Sequence, residues 1–329
     1  MRSKKAYILL VFKGLAMGAA DVVPGVSGGT IAFITGIYEE LLNTFSKLDT
    51  GLFKIWKNNG FKAMWAHLNG NFLLALFSGI FISIASLAYV IQFLLKAHPI
   101  QLWSFFFGLI IASVFLVGKQ VKNKKSIGTM VALVVGTIAA YLITLAAPTQ
   151  GSENLFYIFF CGTIAICAMI LPGISGSFIL LLLGAYSTVL GSVSGLIDAL
   201  RIGSIADIMS NGSRLIVFAI GCLVGLLGFS RALTWMFNKA HDITIAVLTG
   251  FLIGSLNKIW PWKQTLEVFI KHEGELNEKI VPLVQQNISP ARFTELLNEP
   301  NHLMAALAYC ALGFLLITLL DRFAPKNAT

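Results

Sequence analysis

Charge is what this sequence has least of. Only 12% of its 329 residues are Asp, Glu, Lys or Arg, and 57% are hydrophobic, whereas soluble domains carry roughly 25% charged residues. A soluble globular chain is therefore excluded, and 25 Phe with 6 Trp exclude disorder, collagen and coiled coil as well. Cysteine is scarce too. Cys161, Cys167, Cys222 and Cys310 lie inside apolar segments without metal-ligand spacing, so they read as small buried hydrophobes. Nothing calls for a cofactor or a metal. Acidic residues number 15 against 24 Lys plus Arg, a net charge of +9; in so apolar a chain this surplus belongs to cytoplasmic loops and does not mark a nucleic-acid surface.

What remains is the composition of an all-α polytopic membrane protein. Six hydrophobic segments, 72–95, 101–118, 127–147, 214–236, 243–260 and 302–320, have the length of one crossing each, about 20 residues. Two others, 6–42 and 155–197, are too long for one span and carry a Pro-Gly break near the middle. The first resembles a cleaved signal peptide in its basic start and small residues, but Lys13 interrupts it and its sequence recurs later, so it belongs to the fold.

That recurrence organises the chain. Val23-Pro24-Gly25-Val26-Ser27-Gly28-Gly29 matches Leu171-Pro172-Gly173-Ile174-Ser175-Gly176-Ser177, and the offset of 148 also pairs Gly14 with Gly162, Gly36 with Gly184 and Tyr38 with Tyr186. Further on, Gly79 pairs with Gly221, Lys96-Ala97-His98 with Lys239-Ala240-His241, and Gly108 with Gly250. Residues 1–150 and 151–329 are thus expected to be two repeats, each a re-entrant hairpin followed by three spans. An odd number of crossings inverts the second repeat relative to the first. With the N-terminus inside, the inner segments hold 14 Lys plus Arg and the outer ones 8, which favours cytoplasmic termini. The outer loop 261–300, with Glu267, Glu273, Glu275 and Glu278 among apolar residues, is expected to form amphipathic helices.

Pro24 and Pro172 each remove a backbone donor, and Gly25 and Gly173 relax the backbone beside them, so a helix breaks at each point. Broken backbone at membrane depth is tolerated only where protein or a polar cavity satisfies it. Each break leads into a new half-helix bearing hydroxyls, Ser27 and Thr30 in one copy and Ser175 and Ser177 in the other. A helix start carries about half a positive charge and suits an anion such as phosphate. Ser27, Gly28, Gly29, Thr30, Ser175, Gly176 and Ser177 are the candidate phosphate ligands, with Arg231 and Arg214 as candidate counter-charges. Asp21 and Glu39 are carboxylates near membrane segments, candidates to couple a proton or sodium ion, the alternative being a hydrogen-bonded anchor of the break for Asp21 and a solvated hairpin end for Glu39. His98 and His241 fall at span ends, where a surface histidine is the default and pH sensing the alternative.

The run Gly14-Leu15-Ala16-Met17-Gly18-Ala19-Ala20-Asp21-Val22-Val23-Pro24-Gly25-Val26-Ser27-Gly28-Gly29-Thr30, with its degenerate copy around Pro172 to Ser177, resembles the undecaprenyl-phosphate translocase (polyprenyl-phosphate transporter) family over nearly the whole chain. The resemblance implies a multi-pass flippase of the bacterial inner membrane that returns undecaprenyl phosphate from the outer to the inner leaflet for envelope polymer synthesis. The second copy departs from the motif, with Met169 in place of the Asp and Phe178 in place of the Thr. Two other readings compete. An ion-coupled small-anion transporter can share the architecture, and Gly-x-Ser-Gly in both breaks fits the nucleophile of an intramembrane serine protease. The protease needs a histidine beside one serine, and every histidine here is expected at a span end or in a loop.

Overall fold

The computed structural model describes residues 2–23, 26–49, 51–149, 151–271 and 279–323. In the N-terminal half α1 (Lys4–Val22), α2 (Gly28–Ile34) and α3 (Tyr38–Ser46) form the first broken hairpin, and α4 (Gly51–His67) follows as an exposed helix bent at Gly60. Then come α5 (Gly70–Ala97), α6 (Pro99–Gln120) and α7 (Ile127–Leu145). The C-terminal half opens with α8 (Leu155–Ile170), α9 (Gly176–Leu182) and α10 (Tyr186–Ile202), continues into α11 (Ile205–Ser255) and ends with α13 (Leu303–Phe323). Between the last two lie strands β1 (Lys263–Lys271) and β2 (Lys279–Asn287) and the short helix α12 (Pro290–Leu297).

Local chemistry explains the joints. Gly36 and Gly184 take the left-handed backbone, at φ 71° and 63°, and so turn α2 into α3 and α9 into α10. The second of these pairs bends by 107°. Helix α5 ends at His98 (φ −140°, ψ 52°) with Pro99 opening α6. Helix α11 has nearly the same break at Ala240 (φ −145°, ψ 58°), so it is two arms rather than one straight rod.

Close helix approach comes from small residues. A side chain at Gly14 would strike the backbone of α5 at Leu76 and Gly79, and one at Gly162 the backbone of α11 at Phe218. Farther along, Gly108 lies against Cys310 of α13, while Gly250 of the second α11 arm lies against Leu133 and Gly136 of α7. Helices α1 and α5 therefore pack within the N-terminal half and α8 with α11 within the C-terminal half, whereas α6·α13 and α7·α11 join the halves.

Phe72, Leu76, Ile110, Leu248 and Leu252 fill the interior. Outside, Leu74 and Phe81 of α5, Val134 and Ile138 of α7, and Ile216 and Ile220 of α11 are exposed. Such a belt is costly in water, at about 25 cal/mol per Å2, and belongs in lipid. Four helices are long and apolar enough to cross a membrane, or five counting the bent pair α9 and α10. The protein is a multi-pass helical membrane protein.

Polar contacts gather at two ends. At the end where α5 starts and α6 finishes, Arg2 pairs with Glu40, Asn69 donates to Glu40 at 2.7 Å, His241 Nε2 lies 3.3 Å from Glu39, and the Lys122 and Asn123 amides donate to Asp242 at 3.2 and 2.8 Å. At the other end Arg214 pairs with Glu153 at 2.7 Å, Asn257 donates to Thr144 at 2.7 Å, and Ile100 packs with Trp262, Ile288 and Phe293.

The loop 261–300 corrects the sequence expectation. Where amphipathic helices were expected, β1 and β2 pair antiparallel, from Lys263 opposite Asn287 to Lys271 opposite Lys279, and among the described residues of the loop only Pro290–Leu297 is helical. The run Thr265-Leu266-Glu267-Val268-Phe269-Ile270 is rich in β-branched and aromatic residues, and Pro282 bars a helix across the return strand. Glu267 lies on β1, whereas Glu273, Glu275 and Glu278 lie outside the described residues.

Candidate functional site

The two breaks meet. Helix α1 ends where Val23 turns extended, and Pro24 and Gly25 lie outside the described residues. Ser27 caps α2, its Oγ accepting from Gly29 N at 3.1 Å and donating to the carbonyl of Met169 at 3.1 Å. Thr30 Oγ1 accepts from the amide of Gly173 at 2.8 Å. The first tip thus supplies a donor and an acceptor to the broken end of α8, which satisfies backbone groups that a helix would otherwise have paired.

Asp21 reaches forward from the last turn of α1, and its Oδ1 accepts from Gly28 N at 2.6 Å. A carboxylate on a helix-start amide is a charge-assisted contact, stronger than a neutral one. Gly29 is where the backbones touch: a side chain there would sit 2.6 Å from Ile170 O and 2.8 Å from Met169 O. Ser27 and Thr30 are 1% and 0% exposed, so the first tip is sealed in this conformation.

The second tip differs. Gly173 takes φ +88°, and a side chain there would meet Phe251 O and Ser255 Oγ of α11. Ser175 and Ser177 share a hydrogen bond of 2.8 Å, and no side chain caps α9. Gly176 is buried against Ala165, while Ser177 is exposed.

The structure brings Ser27, Gly29 and Thr30 against the second break at Met169 to Gly173, while among the described residues Ser175 and Ser177 hydrogen-bond each other rather than the first tip. It does not bring the two arginines there. Arg231 donates to the carbonyls of Ser46 and Leu48 at 3.3 and 3.0 Å, and Arg214 is held by Glu153. The reason is local: the last carbonyls of α3 lack helix partners and attract Arg231, and the carboxylate at the mouth of α8 attracts Arg214. Lys13 behaves likewise, donating to Thr35 O at 2.6 Å, just past the last residue of α2. Glu39 stands apart from the tips beside His241, in a small cleft with Leu42, Asn43, Thr234, Phe237 and Asn238.

Sequence reasoning missed two lysines. The ammonium of Lys258 lies 4.1 Å from the ring centroid of Phe178, the third residue of α9 after its Ser175 cap, and that of Lys263 lies 4.0 Å from the ring of Trp103. Lys263 also donates to the carbonyl of Lys258. Burial pushes Lys258 down to about 8 and holds Lys263 well below the usual lysine range, its neighbour Lys258 adding to the effect. The sequence signal was present in Asn257-Lys258-Ile259-Trp260-Pro261-Trp262-Lys263: two cations set among indoles, with the first acidic residue at Glu267.

A protease would require a histidine at Ser27 or Ser175, and neither serine has one among its hydrogen-bond partners in the described residues. Comparison with known proteins decides the class. The sequence model of the undecaprenyl phosphate translocase-like family matches residues 17–277. This chain belongs to that family. A polyprenyl-phosphate transporter of Vibrio cholerae is 46% identical over 97% of this chain and 98% of its own length. One from Staphylococcus aureus is 31% identical over 79% of this chain and 91% of its own. No solved structure matches the chain. The family match covers both breaks.

Proposed function

We propose that this protein is a polyprenyl-phosphate transporter, with no enzymatic step, that returns undecaprenyl phosphate from the outer to the inner leaflet of the bacterial inner membrane, supplying envelope polymer synthesis. The names of its relatives support the substrate class. The observation that carries the mechanism is the hydrogen bond from Gly173 N to Thr30 Oγ1, made between two broken helices from the two halves of the chain.

Residues 1–150 and 151–329 act as inverted repeats with cytoplasmic termini. The matched glycine contacts, Gly14 on α5 and Gly162 on α11, support the repeat, and the excess of Lys and Arg in the inner segments supports the orientation. In the conformation described, the tips satisfy one another. Rocking of the halves separates them and frees Ser27 Oγ, Thr30 Oγ1 and Gly173 N as donors for phosphate oxygens, beside Gly28, Gly29 and the second tip's Ser175, Gly176 and Ser177. The exchange is close to even in hydrogen bonds, since each protein pair lost is replaced by a charge-assisted bond to the headgroup. The polyprenyl tail stays in lipid along the exposed apolar belt. Asp21, fixed to the first tip, and Glu39, paired with His241, are the carboxylates through which a proton or sodium ion couples to the motion.

The test is to express Thr30→Val and Ser177→Ala in cells that depend on this transporter and to count carrier phosphate at the outer surface with a headgroup-binding probe. Accumulation of the carrier outside is expected for both. Wild-type recycling in both variants would remove the tips from the transport path.

A further inference from the structure

The headgroup needs a cation, and neither arginine near the membrane segments bonds to a tip residue. Lys258 and Lys263 are placed differently. Ser255, three residues before Lys258, lies against Gly173 of the second break, and Lys258 N closes a turn on Ser255 O at 2.9 Å. The Lys258 ammonium covers the face of Phe178, whose chain neighbour is the exposed Ser177. The Lys263 ammonium covers Trp103 of α6 and is tied to the Lys258 carbonyl. Among the described residues neither lysine has a carboxylate partner, whereas Arg2, Arg214 and His241 each have one.

Two partly buried ammonium groups that face aromatic rings and lack a counter-ion are an unfavourable arrangement in an empty protein. Desolvation disfavours their charge, and each raises the cost of the other. The depressed lysine values noted above express the same cost. A bound anion removes it, and the aromatic faces hold the lysines in place without neutralising them, as a carboxylate would.

We infer that Lys258 and Lys263 form the cationic seat for a phosphate monoester headgroup on the outer side of the second break, with Ser177 as its hydroxyl partner. The inference rests on the transport reading for the identity of the lipid, but the seat itself is a phosphate site whichever molecule carries the phosphate. It also distinguishes the two breaks in the conformation described: the first fastens the halves together through Ser27 and Thr30, while the second lies beside the cations that meet the headgroup.

The experiment uses the full chain in detergent and follows its thermal unfolding midpoint with a short-chain polyprenyl phosphate, the matching uncharged polyprenol, and inorganic phosphate. The variants are Lys258→Met, Lys258→Arg, Lys263→Met and, as a control distant from the seat, Lys54→Met. Wild type and Lys54→Met are expected to be stabilised by polyprenyl phosphate and not by polyprenol. Lys258→Met and Lys263→Met are expected to need at least tenfold more ligand for the same shift, and Lys258→Arg to keep most of the affinity. Without ligand, Lys258→Met is expected to unfold at a higher temperature than wild type, which a lysine with a purely structural role would not produce.

Wild-type affinity in Lys258→Met and Lys263→Met would overturn the seat while leaving the transport reading intact. Should wild type ignore polyprenyl phosphate but bind inorganic phosphate through Lys258, the seat would stand and the lipid assignment would fall. Binding of neither phosphate by wild type would overturn both.

Discussion

The two broken tips have almost the same sequence and opposite circumstances. Ser27 corresponds to Ser175, Gly28 to Gly176, Gly29 to Ser177 and Thr30 to Phe178. In the first copy each hydroxyl is engaged with backbone and fully buried, and Asp21 caps Gly28. In the second, Met169 replaces the capping carboxylate, the two serines bond only to each other among the described residues, and Ser177 reaches the surface. Similar sequences thus sit in one buried, bonded tip and one partly exposed tip. Gly29 shows the physical reason. The carbonyls of Met169 and Ile170 occupy the space where its side chain would be, whereas nothing prevents Ser177 from carrying one.

The largest effect on that contrast is expected from Gly29→Ser, which gives the first tip the residue of the second. Its Cβ meets two carbonyls that belong to backbone and cannot swing aside. A loss of about 3 kcal/mol is expected, read as a fall in the thermal midpoint in detergent together with loss of transport. An unchanged midpoint would mean that the tips are not in contact.

Next comes the cap. Asp21→Ala leaves the Gly28 amide without its partner, at an expected cost of about 1–3 kcal/mol. Asp21→Asn retains an accepting oxygen and should recover much of that stability. If Asp21 also carries the coupling ion, the Asn variant folds but does not transport; normal transport by Asp21→Asn would leave it as an anchor alone. Thr30→Val removes the acceptor for Gly173 N and should cost about 1–2 kcal/mol. Thr30→Ser should restore most of this, and equal losses in the two variants would show that packing rather than the hydroxyl matters. The smallest stability effect belongs to Ser177→Ala, within about 0.5 kcal/mol for an exposed position, yet transport should fall. A variant that transports normally would count against the open tip as the ligand side.

Much of this arrangement was legible in the sequence. The offset of 148 located both breaks, and low charge with long apolar runs pointed to a multi-pass helical membrane protein, because hydrophobic length and glycine–proline punctuation are local signals. The junctions at His98 and Ala240 fell on the matched Lys-Ala-His motifs for the same reason. Tertiary partnership was not legible. Arg231 looked like a phosphate ligand because its depth in an apolar run is visible and its attraction to the carbonyls of Ser46 and Leu48 is not. Lys258 was hidden among the residues of a loop, since its approach to Phe178 depends on how α11 ends against the second break. The strands at 263–271 and 279–287 were misread because alternating apolar and charged residues over so short a stretch fit a surface helix as well as a hairpin.

The exchange of helices between the halves has a consequence for biogenesis. Helix α6 holds Gly108 for Cys310 of α13, a partner that leaves the ribosome some 200 residues later. At about 5–20 residues per second, α6 therefore waits in the bilayer for roughly 10–40 seconds with its glycine face uncovered. During that interval the nascent chain depends on the insertion machinery, or on lipid, to occupy the groove that its own C-terminus finally closes.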